Sequence, residues 1–431
     1  MRILGAFLQS LHRFGLAALG PVAVSATQFL LQMDLLRTLE TTEFGLFAFI
    51  VGFIQFGFGL SNALVCTPYT VWINNTQMGD KDAQTYFKVN LALSAIWAAF
   101  CIIIVMTLGR SVEAWFFGLF GFLAMIRWFG RAHLYAIHRP TTVVISDFIF
   151  AGVLLMCISS VPFASLSLLS AIAMLCVATT GGVIAIGLAF IEMQFRRAWV
   201  GSFRDYGDVW RDHARWTLLG VVSSEATANA HSYVVTLHAG PAAFAPIAAA
   251  TLLVKPISLI ITSLTQLERP VMARHLASGD MTAALQSVAF FRLAVILTWT
   301  GTISAGVACL VWFPRLLFSP SYDIGTLKIA FFLWAWISLL QSWSTPPSVL
   351  LQAAQWFKPL GSTGVASAVV AVIAVLAFAL VLTPVYTLIG ILIGQAIMNW
   401  GIAILKTRWM AGCDGITFRH WHLRKPSGSM V

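Results

Sequence analysis

A series of apolar runs of about twenty residues, separated by short charged connections, constrains this chain more than any other feature. A helix needs about 20 apolar residues to cross the ~30 Å hydrocarbon core of a bilayer. On that rule twelve segments qualify: 14–36, 44–66, 89–109, 112–131, 143–161, 166–191, 216–237, 243–264, 288–312, 324–345, 359–382 and 386–405. Only 10% of the 431 residues are charged and 59% are hydrophobic, whereas a soluble domain carries about 25% charged residues. A soluble fold of this length could not cover its surface with so few charges. Lipid is therefore the expected solvent, and the expected fold is an all-α polytopic membrane protein with about twelve transmembrane helices in two six-helix lobes.

The positions of the basic residues predict an orientation. With the N-terminus inside, 21 of the 26 Lys and Arg residues fall on the cytoplasmic side. Arg37, Arg110, Arg315 and Lys328 fall outside, and Lys255 lies within a span. This asymmetry is the one that orients membrane proteins, and it predicts cytoplasmic termini. The net charge of +10 is scattered in short clusters with no continuous basic patch or arm, so no nucleic-acid partner is expected. Arg2 and Arg13 precede an apolar run that continues through Leu36. That run is long enough to span, so it reads as a first transmembrane helix rather than a cleaved signal. Six cysteines lack C-x-x-C spacing and five lie in or beside apolar segments, which marks them as small packing residues.

The longest polar connection divides the spans six and six. The expected organisation is an N-terminal lobe (1–191), an amphipathic cytoplasmic linker (192–215), a C-terminal lobe (216–405) and a basic cytoplasmic tail (406–431). Within the linker, Phe203, Tyr206 and Trp210 recur at helical spacing beside arginines, a pattern that reads as a basic helix on anionic lipid. A shift of 200 residues aligns Leu19 with Leu219, Gly20 with Gly220, Thr27 with Thr227 and Phe44 with Phe244. Both halves begin inside, so the arrangement they suggest is that of parallel repeats.

Short motifs along nearly the whole chain resemble those of polysaccharide flippases. LLRTLETTEFGLFAFIVGFIQFGFGL is similar to their R-x-L-x-x-x-x-F-G turn, with Arg37, Leu39, Phe44, Gly45 and Gly59 at the matching positions. ERPVMARHLASGD resembles their P-x-x-[SA]-R exit through Pro270, Ala273 and Arg274. LLFSPSYDIG resembles L-F-G-x-x-Y with Ser319 in place of Gly, and LVLTPVYTLIGILIGQAI resembles L-x-P-x-[YF]-G-x-x-G with Thr387 in place of Gly. The resemblance implies the Wzx-like branch of the multidrug/oligosaccharidyl-lipid/polysaccharide exporter superfamily. Its members move lipid-linked saccharides from the cytoplasmic to the outer leaflet of the bacterial inner membrane for surface polysaccharide synthesis.

No zinc H-E-x-x-H, Walker A loop or G-x-S-x-G elbow occurs, and no cofactor is expected. Gly57-Phe58-Gly59 lacks a third glycine and reads as close helix packing. The informative residues are ionisable groups at membrane depth, which cost at least about 2.5–3.5 kcal/mol each at a helix centre. Glu225 and Lys255 lie at similar depths on consecutive antiparallel spans, each roughly 13–14 Å from the cytoplasmic end at 1.5 Å per residue. They read either as an ion pair locking two helices or as a lining in which Lys255 attracts a substrate phosphate and Glu225 binds a coupling cation, proton or sodium. Asn229, one turn beyond Glu225, extends that polar face. Arg127 and Arg131, one turn apart, suit bidentate pyrophosphate capture or else snorkel to headgroups. Asp147 is a candidate partner for either, and Asp34 for Arg37. Gln28, Gln32, Gln395 and Asn399 fit interhelical hydrogen bonding. Asn74-Asn75-Thr76 forms a glycosylation sequon expected on the cytoplasmic side, and His420 and His422 lack further metal ligands.

The expectation is a non-enzymatic transporter of an isoprenoid pyrophosphate-linked oligosaccharide, in contact with membrane lipids. A cation-coupled multidrug exporter of the same superfamily is the second reading; it calls for acidic residues, whereas this chain offers cations as well. A membrane-embedded glycosyltransferase or polymerase is the third, and the absence of a long external loop speaks against it.

Overall fold

The computed structural model describes residues 2–73, 80–161 and 166–413. The sequon at Asn74 and the histidines at 420 and 422 lie outside these residues. Among the described residues every regular element is helical. The first six elements are α1 (Arg2–Thr38), α2 (Thr41–Ser61), α3 (Thr67–Ile73), α4 (Asp80–Thr107), α5 (Ser111–Ala136) and α6 (Pro140–Ser160). A π-helical turn, Asn62–Cys66, joins α2 to α3. Then follow α7 (Leu168–Ile186), α8 (Leu188–Val200), the single turn α9 (Gly207–Val209), α10 (Arg215–Ala239) and α11 (Pro241–Ala277). The last are α12 (Met281–Trp312), α13 (Pro314–Leu317), α14 (Ile324–Ala353), α15 (Phe357–Val381) and α16 (Thr387–Cys413).

Eleven helices among the described residues are long and apolar enough to cross a membrane, and they correspond to eleven of the twelve expected spans. The seventh expected span is helical too, as α10. Ser223, Ser224, Glu225, Thr227, Asn229, His231 and Ser232 make it too polar to stand with the others. The spanning helices carry exposed apolar stripes at helical spacing, such as Ile96, Phe100 and Ile103 on α4 and Val369, Ile373, Leu376 and Leu380 on α15. Apolar residues exposed along one face of a membrane-length helix meet lipid rather than water. The chain is a multi-pass α-helical membrane protein.

Two compact units are present. The first comprises residues 1–225, 232–252 and 309–329, and the second residues 226–231, 253–308 and 330–431. In the first, α5 packs on α4 and α7, α6 on α7 and α1, and α8 on α4. One of its cores gathers Tyr69, Phe87, Phe129 and Phe190 around His133, whose Nδ1 meets the Tyr69 hydroxyl at 2.7 Å. In the second, α15 packs along α16, and the buried Ser367 hydroxyl donates to the Gly394 carbonyl at 2.8 Å. The Trp299 indole of α12 donates to the Ala335 carbonyl of α14 at 3.0 Å, and the Asn399 amide of α16 donates to the Leu340 carbonyl at 2.9 Å. Asn399 thus makes the expected interhelical bond. Such bonds hold spans together where lipid supplies no hydrophobic drive between helices.

Within the linker, α8 follows α7 beyond Gly187 and docks on α4, and after a short non-helical break the chain is helical from Arg204 onward, through 3-10, α and π turns, into α10. Gln194, fully buried, donates to the Phe87 carbonyl at 2.8 Å, and Lys88 donates to the Gly201 carbonyl at 2.7 Å. Tyr206 is half-buried, its hydroxyl donating to the Leu64 carbonyl at 2.5 Å. Burial raises that phenol above its ordinary value. Asp34 and Arg37 form no close salt bridge; Arg37 is exposed and acts on the Asp34 carboxylate only at longer range.

Candidate functional site

Arg127 and Arg131 lie one turn apart on α5, and Asp147 lies two turns into α6. The helices return on each other through the turn at Ile137–Arg139, which brings the three side chains to similar depth. Arg127 Nη2 donates to Asp147 Oδ1 at 2.6 Å, and Arg131 Nη2 donates to Oδ2 at 3.0 Å. Asp147 is fully buried and the Arg127 side chain is only 9% exposed. One carboxylate therefore serves two guanidinium groups, leaving one net positive charge in the protein interior. The Nε of each arginine is buried without a hydrogen-bond partner. Arg127 rests 4.6 Å over the Phe150 ring, and Arg131 rests 5.4 Å from the Trp128 ring centre.

Small residues on the flanking helices make room for this cluster. A Cβ at Gly182 on α7 would stand 2.5 Å from Arg127 Nε, and one at Gly20 on α1 would stand 2.6 Å from Asp147 Oδ2. Ser146, beside Asp147, ties α6 to α7 by donating to the Gly182 carbonyl at 2.7 Å. Asp147 thus pairs with both arginines, and Arg127 is held in protein rather than snorkelling.

Glu225 belongs to the first unit and is half-buried midway along α10. Its Oε1 accepts from the Tyr233 hydroxyl, two turns on, at 2.5 Å. The Tyr233 ring meets Phe49 edge-on at 5.9 Å and Phe56 at 6.4 Å, while Phe53 stacks on Trp97 at 4.3 Å. Gly57 lies against the Trp97 indole, as close helix packing requires. This aromatic frame was invisible in the sequence, where Tyr233 carried no signal beyond its place on a polar helix.

Lys255 and Asn229 belong to the second unit. Asn229 is half-buried on α10. Lys255 lies 14 residues into α11, about 21 Å along the axis at 1.5 Å per residue. The residue keeps accessible surface while the surrounding protein partly desolvates its ammonium, and among the described residues no ion pair engages it. Among the described residues no cluster of histidine, cysteine and carboxylate side chains is suited to hold a metal ion.

No protein-family model and no curated protein sequence matches the chain. Solved structures do share its fold. The chain is similar to an inward-facing multidrug resistance MATE family transporter of the MOP superfamily, at 15% identity, over 94% of this chain and 96% of that one, with a TM-score of 0.56. It is similar to the lipid II flippase MurJ in an inward closed conformation, at 11% identity, over 91% and 87% of the two chains, with a TM-score of 0.68. A third likeness, to a MOP superfamily transporter from Pyrococcus furiosus described as having a binding pocket of reverse polarity, has 13% identity and a TM-score of 0.54 over 94% and 96%.

Proposed function

We propose, from a fold shared with MATE transporters and the lipid II flippase MurJ, that this chain is a transporter and not an enzyme. Its substrate, on this reading, is an isoprenoid pyrophosphate-linked oligosaccharide, moved from the cytoplasmic to the outer leaflet of a bacterial inner membrane with both termini in the cytoplasm. The observation that carries the reading is Lys255, a cation deep along a membrane-spanning helix that no carboxylate among the described residues pairs. Facing lipid, it would cost at least about 2.5–3.5 kcal/mol. Facing a water-filled path, it supplies a positive charge where a passing diphosphate needs one. The likeness to MurJ has the higher TM-score, 0.68 against 0.56 for the inward-facing MATE transporter, over a slightly smaller share of this chain, 91% against 94%, and supports the same reading.

Arg127 and Arg131 add a second positive site. Asp147 neutralises one of the two charges and holds both guanidinium planes, with the more accessible Arg131 as the phosphate ligand and Arg127 as its support. Asn229 supplies a neutral polar contact near the path. Glu225 is the coupling group, binding a proton or sodium ion as the Tyr233 hydroxyl is held or released. The division into lobes 1–191 and 216–405 belongs to the same proposal.

One observation favours the second reading, a cation-coupled multidrug exporter: the Glu225 carboxylate is bonded by the hydroxyl of Tyr233, whose ring packs against Phe49 and Phe53, and a carboxylate joined to an aromatic group is a setting that attracts organic cations. The two readings part at Lys255. In complementation of surface-polysaccharide production, Lys255→Ala is expected to keep membrane abundance within about twofold while production falls at least about tenfold, the loss of roughly one charge-assisted hydrogen bond. Undiminished production by Lys255→Ala would overturn the flippase reading. Export of organic cations that survives Lys255→Ala and is lost in Glu225→Gln would establish the other.

A further inference from the structure

The course of the linker leaves a groove between α4 and α8, of about 480 Å³, whose lining includes Gln84, Glu192, Met193, Arg196, Arg197 and Val200. Its volume is in the range of small-molecule sites. Glu192, Arg196 and Arg197 give it one net positive charge, and among the described residues no ion pair engages any of the three. Arg197 is half-buried and its guanidinium lies 5.6 Å over the Phe87 ring, so it is held in place without its charge being cancelled. Arg196, beside it, is exposed. Lys88, the next cation, is already committed to the Gly201 carbonyl and the Phe203 ring.

The same helix presents large apolar side chains to the surroundings. Phe195 is 48% exposed, Trp199 89% and Val200 64%, and Phe203 beyond the helix end is 56% exposed. α8 leaves the spanning helix α7 through the single residue Gly187, so these side chains emerge where a membrane span ends. A tryptophan almost wholly exposed at that level sits in the interfacial zone, where one end of the ring is apolar and the other wet. An occupant of the groove therefore has an anionic head against two guanidinium groups and apolar chains alongside Phe195 and Trp199. An acidic peptide satisfies the first condition and not the second.

We infer that the groove between α4 and α8 is a headgroup site for an anionic phospholipid, seated on Arg196 and Arg197 and anchored by Trp199. The site is separate from the residues assigned to transport, and binding there stands or falls without reference to the transported substrate. The test is a lipid titration of the full chain in detergent, followed by native mass spectrometry, with dioleoylphosphatidylglycerol and dioleoylphosphatidylcholine as the probes. The wild type is expected to bind phosphatidylglycerol at least about tenfold more tightly than phosphatidylcholine, since each basic residue near a lipid phosphate contributes about fivefold. R196Q is expected to lose about fivefold of that preference, and R196Q/R197Q to bring the two lipids within about twofold of each other. R196K/R197K, which keeps both charges, is expected to retain most of the preference and guards against loss of fold in the neutral pair. Equal binding of the two lipids by the wild type, or a preference that survives R196Q/R197Q, would overturn the inference.

Discussion

The cluster of Arg127, Asp147 and Arg131 in the first unit and the lone Lys255 in the second are two ways of keeping positive charge on a membrane-spanning helix. In the cluster the protein itself solvates the charge: a fully buried carboxylate bonds both guanidinium groups, and aromatic rings lie beneath them. Among the described residues no carboxylate pairs with Lys255, which keeps some accessible surface on its helix. A charge that is paired and buried is tied to the packing of its helices, so removing a partner strands a charge in the interior. A charge that is exposed and unpaired contributes little to packing, and its energetic worth lies in what it meets outside the protein. The first kind of residue is expected to report on stability and the second on transport.

The sharpest test of that contrast is Asp147→Asn. Loss of the shared carboxylate leaves two guanidinium groups facing each other in the interior and is expected to cost about 3–5 kcal/mol, the range for breaking a buried pair. Membrane abundance and the unfolding midpoint in detergent should both fall well below those of Lys255→Ala. A stable but inactive Asp147→Asn protein would place the cluster with Lys255, as a group whose role is in transport.

A smaller effect is expected from Gly182→Ala. Its new Cβ would press on Arg127 Nε at 2.5 Å and force the guanidinium from Asp147 or α7 from α5. Overpacking of this kind costs about 1–3 kcal/mol. Unfolding measured beside Gly152→Ala, a position with open space around the Cβ, separates the crowding from the ordinary effect of adding a methyl to a helix.

The smallest effect is expected at Asp323, an exposed carboxylate that caps α14 by accepting from the Thr326 amide at 2.9 Å and its hydroxyl at 2.6 Å. These bonds hold its carboxyl below the ordinary value. A depressed value means that its contribution is fully present above the unfolded carboxylate value of about 4 and is lost as pH falls through the lower folded value. The unfolding midpoints of the wild type and Asp323→Ala should therefore differ slightly at pH 6 and converge toward pH 3. A gap that persists unchanged at pH 3 would show that the cap acts without its charge.

Much of the architecture was legible because lipid imposes a one-dimensional rule. A span must satisfy its own backbone and be apolar over about 20 residues, so twelve spans were read from composition alone; eleven recur as helices long and apolar enough to cross, and the remaining one is the more polar helix α10. Asp147 was legible as a partner for the arginines because a return turn of a few residues leaves the facing positions of α5 and α6 little freedom. The helical period of Phe203, Tyr206 and Trp210 was legible too, since the chain is helical from Arg204 into α10. The bond from the Tyr206 hydroxyl to the Leu64 carbonyl was not, because it joins residues far apart in sequence.

The sequence by itself determined that the chain lives in a bilayer, roughly where its spans lie, and which of its ionisable groups lie at membrane depth, although helices such as α11, which runs on to Ala277, continue well past the apolar run that marks them. Those properties depend on local composition and on the cost of polar groups in hydrocarbon. Only the tertiary structure decided which of those groups are spoken for. Arg127 and Lys255 look alike along the chain, as single cations in apolar runs. They differ because Asp147 and the space left by Gly20 and Gly182 come from other helices, which spacing along one helix cannot reveal. Whether a buried charge is solvated by protein or left to meet a ligand is a matter of three-dimensional packing, and that separates the arginine cluster from the lysine.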